Sequence, residues 1–240
     1  MAARTGRDER FAELEAVFDP GLRRNRRDDY AARIAMTAVL RTDSCAIDVG
    51  ANRGDFLEQI VAVAPNGRHF AFEPLPELVT DLRARFPQVE IHQGALSDVT
   101  TTATFHHVLA APALSGLRRR ADLPADAQET REVTVEVRRL DDVIPDDITP
   151  AFLKIDVEGA EVKVLLGGQR LLERARPVIV FEHGLGGADL YGSSSGELWD
   201  LLDACDLRVF DLEGAGPFTR SEFEELFTSP ASWNYLAVPR

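Results

Sequence analysis

Residues 45–54 read CAIDVGANRG: a short apolar run, an acid at position 48, and two glycines ahead of a segment with helical spacing. An apolar run of this length that ends in a glycine turn and enters a helix is the opening half of a βαβ unit, and it predicts a parallel sheet. The turn is not that of a dinucleotide-binding fold. Such a turn carries three glycines and no acid at its mouth, so that a pyrophosphate can rest on the helix N-terminus. Here the third glycine is missing, and Asp48 stands where it would repel a phosphate. A P-loop is excluded too, since no Gly-Lys-Ser/Thr follows.

Working outward, the same texture recurs. Apolar runs at Cys45–Val49, 69–72, 89–92, 152–155 and 178–181 alternate with helical segments, the pattern of a parallel sheet covered on both faces. Asp48, Glu73, Asp156 and Glu182 stand at or just beyond the carboxyl ends of four of these runs, and Asp98 follows the fifth after a short loop. In open α/β sheets the ligand crevice lies outside those ends, so the acids are expected to converge on one site. Helices are predicted over 9–18, stopped by Pro20-Gly21, and over 28–40, with Ile34, Ala35, Ala38 and Val39 as the apolar positions. Residues 101–140 hold two alternating stretches, TTATFHHV and REVTVEVRRL, around a small-residue and arginine-rich loop, which predicts an antiparallel hairpin or flap bordering the site. The end of the chain predicts a helix at 195–205, a strand at 207–212 and a last strand at 233–238. The expected organisation is one domain over 1–240: a helical lead-in (1–42) and an α/β core (43–240) with the hairpin inserted.

With 240 residues and a formal charge of −13, the chain repels polyanions in general, which excludes nucleic acid or an anionic membrane as main partner. The basic run at Arg23, Arg24, Arg26 and Arg27 reads as a solvated helix start. Cys45 and Cys205 are too few for a disulfide framework and read as small core residues. The charged N-terminus and the absence of a long apolar run predict a cytoplasmic protein without membrane insertion.

The ligand that suits a glycine turn with an acid at its mouth is an adenosine compound carrying positive charge instead of phosphate, S-adenosylmethionine. Asp48 would attract its cationic amino-acid end, directly or through water, by charge-assisted hydrogen bonding. Gly50 and Gly54 allow close backbone approach and unusual dihedrals, and Asn52 tolerates a left-handed conformation. Glu73, at the end of the second run, can accept both ribose hydroxyls, with Pro74 and Pro76 fixing its turn. Ala95 and Leu96 would lie beside the adenine, with Ser97 or Asp98 reading its amino group.

The segments DVGANRGDF, FAFEPLPE, LKIDVEGAEVKVLLG, VIVFEHG and WNYLAV stand in the order and spacing of the FkbM-type S-adenosylmethionine-dependent methyltransferases, which the chain resembles over about residues 43 to 240. The resemblance implies the class I methyltransferase fold, a Rossmann-like seven-stranded sheet with helices on both faces whose last strand inserts antiparallel. It also implies O-methylation, with a sugar or oligosaccharide hydroxyl as the expected acceptor and a polyketide or other secondary-metabolite hydroxyl as the alternative. A module that binds the donor without transfer is disfavoured by the acids at 156 and 182. A homodimer is compatible with this reading.

Methyl transfer to an alcohol needs help with a proton whose pKa is near that of water, roughly 15.7. Asp156 and Glu182 are placed to share one Mg2+, a cation that prefers oxygen ligands, and the layout is similar to that of catechol-type methyltransferases. Asp156 also borders the donor. Of Glu158 and Glu161, one is expected to reach the site and the other to cap or face solvent. His183, next to Glu182, is the expected base. His106 and His107 are expected at the surface, and His69 and His92 as satisfied core histidines. Lys154 should share a face with Asp156. Gly167-Gly168 is expected to serve helix-to-sheet packing. Trp199, Trp233 and Tyr235 are candidate sugar platforms, and GLGGADLYGSSSG (184–196) a candidate lid.

Overall fold

The computed structural model describes residues 20–120, 123–228 and 233–240. The helix expected over 9–18 lies outside them. The first described element is α1 (Pro20–Val39), which starts well before the expected position 28. Proline in a first turn costs nothing, because the N–H it lacks would be unpaired there anyway. Its buried stripe is Asp28, Ala32, Met36 and Leu40, spaced four apart, while Ile34 is 53% exposed. This corrects the expected apolar face: the helix rolls so that its small and flexible side chains meet the sheet.

The core is a seven-stranded sheet. Its strands are β1 (Cys45–Val49), β2 (Phe70–Glu73), β3 (Glu90–Gln93), β7 (Pro150–Ile155), β8 (Val178–Glu182), β9 (Leu207–Asp211) and β10 (Asn234–Pro239), in the spatial order β3-β2-β1-β7-β8-β10-β9. Only β10 runs antiparallel to its neighbours, between β8 and β9. This is the expected fold, with each expected strand within two residues of its place.

Strand alternation sends side chains to two separate cores. Ile47, Val49, Leu153, Ile155, Ile179 and Phe181 face α5 (Glu161–Gly167), α6 (Gln169–Ala175) and α7 (Ser195–Ala204). Ala46, Ala71, Phe152, Val178 and Val180 face α1, α2 (Asp55–Val63) and α3 (Pro76–Arg85). Asp48 and Lys154 are register partners across β1 and β7, on this second face. Gly167 and Gly168 part α5 from α6; a Cβ on Gly167 would lie 2.0 Å from the Ser97 carbonyl oxygen, so close packing is their role, as expected.

A small second sheet forms the insertion. β5 (Thr101–Val108) and β6 (Thr130–Arg138) pair antiparallel from Thr101 opposite Val137 to Val108 opposite Thr130, and β4 (Ala95–Leu96) joins β6 in parallel. Phe105, Val135 and Val137 pack on Leu75 and seat the flap beside the carboxyl ends of the main strands.

Candidate active site

A cavity of about 370 Å³ opens at the carboxyl ends of β1, β2, β7 and β8. Gly50, Asn52, Glu73, Ala95, Leu96, Asp156 and Glu182 line it together, as the acids at strand ends predict. Gly50 has φ +81, and a Cβ there would lie 1.8 Å from the Asp156 carbonyl oxygen. The glycine is therefore required by the approach of β7. Asn52 takes the left-handed conformation expected of it, with φ 47.

Glu73 is buried, and both its oxygens are aimed by backbone donors. Asn52 N–H donates to Oε2 and Leu75 N–H to Oε1, each at 2.9 Å. Burial pushes its carboxyl up to about 7, with these two hydrogen bonds pulling the other way. The arrangement fits an adenosine ligand: the carboxylate is fixed at the cavity wall with lone pairs left for a diol, and the buried Asn52 Oδ1 accepts no hydrogen bond among the described residues.

Three expected donor contacts sit elsewhere. Asp48 is fully buried and does not line the cavity; among the described residues neither oxygen has a hydrogen-bond partner, Lys154 Nζ stands 3.9 Å away, and burial pushes its carboxyl up to about 6. It lies one residue short of the strand end, so its side chain enters the space under α1 and α2. Gly54 packs α2 against α3, where a Cβ would meet Leu82 at 2.6 Å. Asp98 pairs with Lys163 and accepts from Ser97 Oγ, each at 3.0 Å, away from the cavity, whereas Ala95 and Leu96 line it.

At the other end of the cavity, Asp156, Glu158 and Glu182 bring carboxylate oxygens within 4.8 Å of one another. Burial, then the charges of Asp156 and Glu158, hold the Glu182 carboxyl well above the usual carboxylate range. Burial and Asp156 likewise push Glu158 up to about 7, against the pull of Arg120. Lys154 Nζ lies 3.0 Å from Asp156 Oδ2, and Arg120 pairs with Glu158. Glu161 turns away: its Oε1 accepts from Val157 and Gly159 N–H, both at 3.1 Å, and so holds the turn that carries Glu158. This settles which of the two glutamates reaches the group.

The structure does not bring His183 into this group. It stacks on Phe223 at 5.5 Å and meets the tilted ring of Phe227 at 5.1 Å, its Nε2 lies 2.9 Å from Ser195 Oγ, and burial pushes its imidazole down to about 4. His107 is buried beside Glu77 and Arg131, a correction to its expected surface place. His69 is satisfied by Ala46 N–H and the Ala64 carbonyl, but His92 Nε2 has no hydrogen-bond partner among the described residues. Trp199, Trp233 and Tyr235 do not line the cavity. Sequence reasoning missed Asn25, Asp28 and Asp29 of α1, Asn234 of β10, and the flap residues Phe105 and 112–117 in part, all of which border it. The only signal for the α1 residues was an acidic pair directly after the basic run.

Asp48, Glu73 and Glu161 have folded-state pKa values of about 6, 7 and 7, raised first by burial, against about 3.9 to 4.3 when unfolded. The native state thus holds protons more tightly, and the stability they contribute is present below about pH 4 and lost as pH rises through 6 to 7. The urea midpoint is expected to fall between pH 5 and 8. A flat or rising midpoint contradicts this assignment.

A family model of the methyltransferase FkbM domain matches residues 48–209. The chain is 30% identical over 182 residues to AMB antimetabolite synthetase AmbE of Pseudomonas aeruginosa, covering 60% of this chain and 9% of that protein. It is 23% identical over 177 residues to 2-O-methyltransferase NoeI of Sinorhizobium fredii, covering 66% of this chain and 71% of that one. Among solved structures, methyltransferase FkbM from Methylobacillus flagellatus superposes with a TM-score of 0.50 at 18% identity, over 83% of this chain and 44% of that chain. The chain thus spans a small part of the synthetase and less than half of the crystallised enzyme, and the latter likeness bears on fold alone. Among the described residues no helix is long and apolar enough to cross a membrane. Because the matched span takes in both the glycine turn and the acids of β7 and β8, and most of the chain, the protein belongs to the FkbM methyltransferase family and has the class I methyltransferase fold.

Proposed function

We propose that the enzyme methylates a hydroxyl oxygen of a small-molecule acceptor. The observation that carries this reading is one cavity with a diol-ready carboxylate, Glu73, at one end and the Asp156, Glu158 and Glu182 group at the other. When bound, S-adenosylmethionine supplies the sulfonium methyl. Gly50, Asn52, Glu73, Ala95 and Leu96 hold the donor and orient it. Glu182, a cavity-lining carboxylate at the end of β8, accepts the hydroxyl proton in its ionised form. The three carboxylates are the hard oxygen donors that Mg2+ takes, and together they would hold it and lower the pKa of the acceptor hydroxyl. Because α1, the sheet ends and the flap all contribute to the cavity, one methyltransferase domain over 1–240 is the reading carried forward.

Of the two acceptor classes, a sugar or oligosaccharide and a polyketide or other secondary metabolite, the lining favours the second. The candidate sugar platforms stand outside, while Phe105, Pro112, Ala113, Leu114 and Leu117 offer an apolar wall. The 2-O-methyltransferase relative supports oxygen as the methylated atom.

Turnover of labelled donor on a panel of glycans and hydroxylated aglycones tests this reading. A methoxy product is expected, lost in EDTA and restored by magnesium. Full turnover in EDTA would retire the metal and leave Glu182 alone, and methyl on nitrogen or carbon would retire oxygen transfer.

A further inference from the structure

Among the described residues, Arg120 is the flap side chain that pairs with the carboxylate group. The flap's 112–117 segment, which supplies the apolar wall, is tied down at several points. His106 N–H donates to the Gly116 carbonyl at 2.8 Å, Val108 N–H to Ser115 Oγ at 3.0 Å, and Arg118 N–H to Tyr191 Oη at 3.1 Å. Two residues further on, Arg120 pairs with Glu158, with side chains only 20% and 12% exposed. Glu158 holds φ at 58. A left-handed backbone is strained for a residue with a Cβ, so the turn is built to present this carboxylate at a set place.

That carboxylate has two claimants. Arg120 holds it from the flap, and a cation shared with Asp156 and Glu182 would hold it from the cavity floor. A guanidinium so near repels a second cation. We infer that Arg120 is both the latch of the flap and the competitor of the metal for Glu158. With Arg120 on Glu158, the wall is closed and one ligand is withheld. A cation on the three carboxylates would release Arg120 and so loosen the segment that shapes the acceptor compartment, leaving it held by the bonds to His106, Val108 and Tyr191. Metal loading and acceptor admission are thereby linked, and the linkage is reciprocal. Arg120 is a positioning residue, acting through Glu158. This inference rests on the metal part of the proposed function.

Its test needs no acceptor. Amide hydrogen exchange over 113–119 is followed with and without magnesium chloride, and magnesium is titrated calorimetrically into the wild type, Arg120→Ala, Arg120→Lys and Glu158→Gln, each first shown to melt cooperatively. Magnesium is expected to speed exchange of the segment in the wild type and in Arg120→Lys. Arg120→Ala should exchange fast without magnesium and bind it about 5-fold to 10-fold more tightly, the size of an ordinary coupling. Glu158→Gln should exchange fast and bind magnesium weakly. Equal magnesium affinity in the wild type and Arg120→Ala, or binding that leaves exchange unchanged, overturns the competition alone. No magnesium binding to any form removes the metal reading itself, and the competition with it.

Discussion

Glu73→Ala is expected to raise the dissociation constant for S-adenosylmethionine about 100-fold. Two hydrogen bonds from ribose hydroxyls to a charged acceptor are worth roughly 1.5 kcal/mol each at the low end, together about 3 kcal/mol. The truncation also strips Asn52 N–H and Leu75 N–H of their acceptor, so the donor loop and the start of α3 lose a shared anchor. Glu73→Gln is not a benign control, because one of those two N–H groups would then face an amide NH2 instead of an oxygen. Calorimetry with the donor reads the effect directly. Wild-type affinity in Glu73→Ala would move the ribose site elsewhere.

Glu182→Gln is expected to lower kcat by about 10²-fold to 10⁴-fold, the usual contribution of a positioned acid or base, with donor affinity unchanged. Glutamine keeps the shape and the β8 backbone, which stands opposite Asn234 in register, but it can neither take a proton nor hold a cation. The separation between the two variants is the informative part. On the proposed function Glu73 acts on the donor and Glu182 on the acceptor, so one should move Kd and the other kcat. A Glu182→Gln enzyme with wild-type turnover would pass the proton to another group at that end of the cavity, such as Asp156 or Asp29.

The sheet was legible because buried parallel strands are written as short apolar runs, and the acids that end them mark the crevice. The site was legible where the strand end alone decides the position, as for Glu73, Asp156 and Glu182. It failed where the face decides. His183 follows Glu182 in sequence, but strand alternation turns it to the side of Ile179 and Phe181, under the aromatic rings of α8 (Arg220–Leu226) and Phe227. That outcome was available from the period-two rule. Asp48 failed for a related reason: the last residue of β1 is Val49, so the acid points into the packing against α1 and α2, where Lys154 stands opposite in register. The part played by α1 was not legible, since a basic run followed by two acids reads as a solvated surface, and only packing shows that Asp28 is buried and Asp29 borders the cavity. The flap linker has no periodicity to read, and Arg120 meets Glu158 only because the hairpin folds back over the sheet ends.

The central claim is that one cavity holds the donor at Glu73 and delivers its methyl to an acceptor oxygen at Glu182. Single-turnover transfer from methyl-labelled S-adenosylmethionine, with the product carbon assigned by NMR, tests it most directly. The account predicts a methoxy carbon in the product of the wild type, formed about 10²-fold to 10⁴-fold more slowly in Glu182→Gln with donor bound, and formed slowly in Glu73→Ala at donor concentrations that just saturate the wild type. A methyl on carbon or nitrogen, or transfer of equal rate in Glu182→Gln, would contradict it.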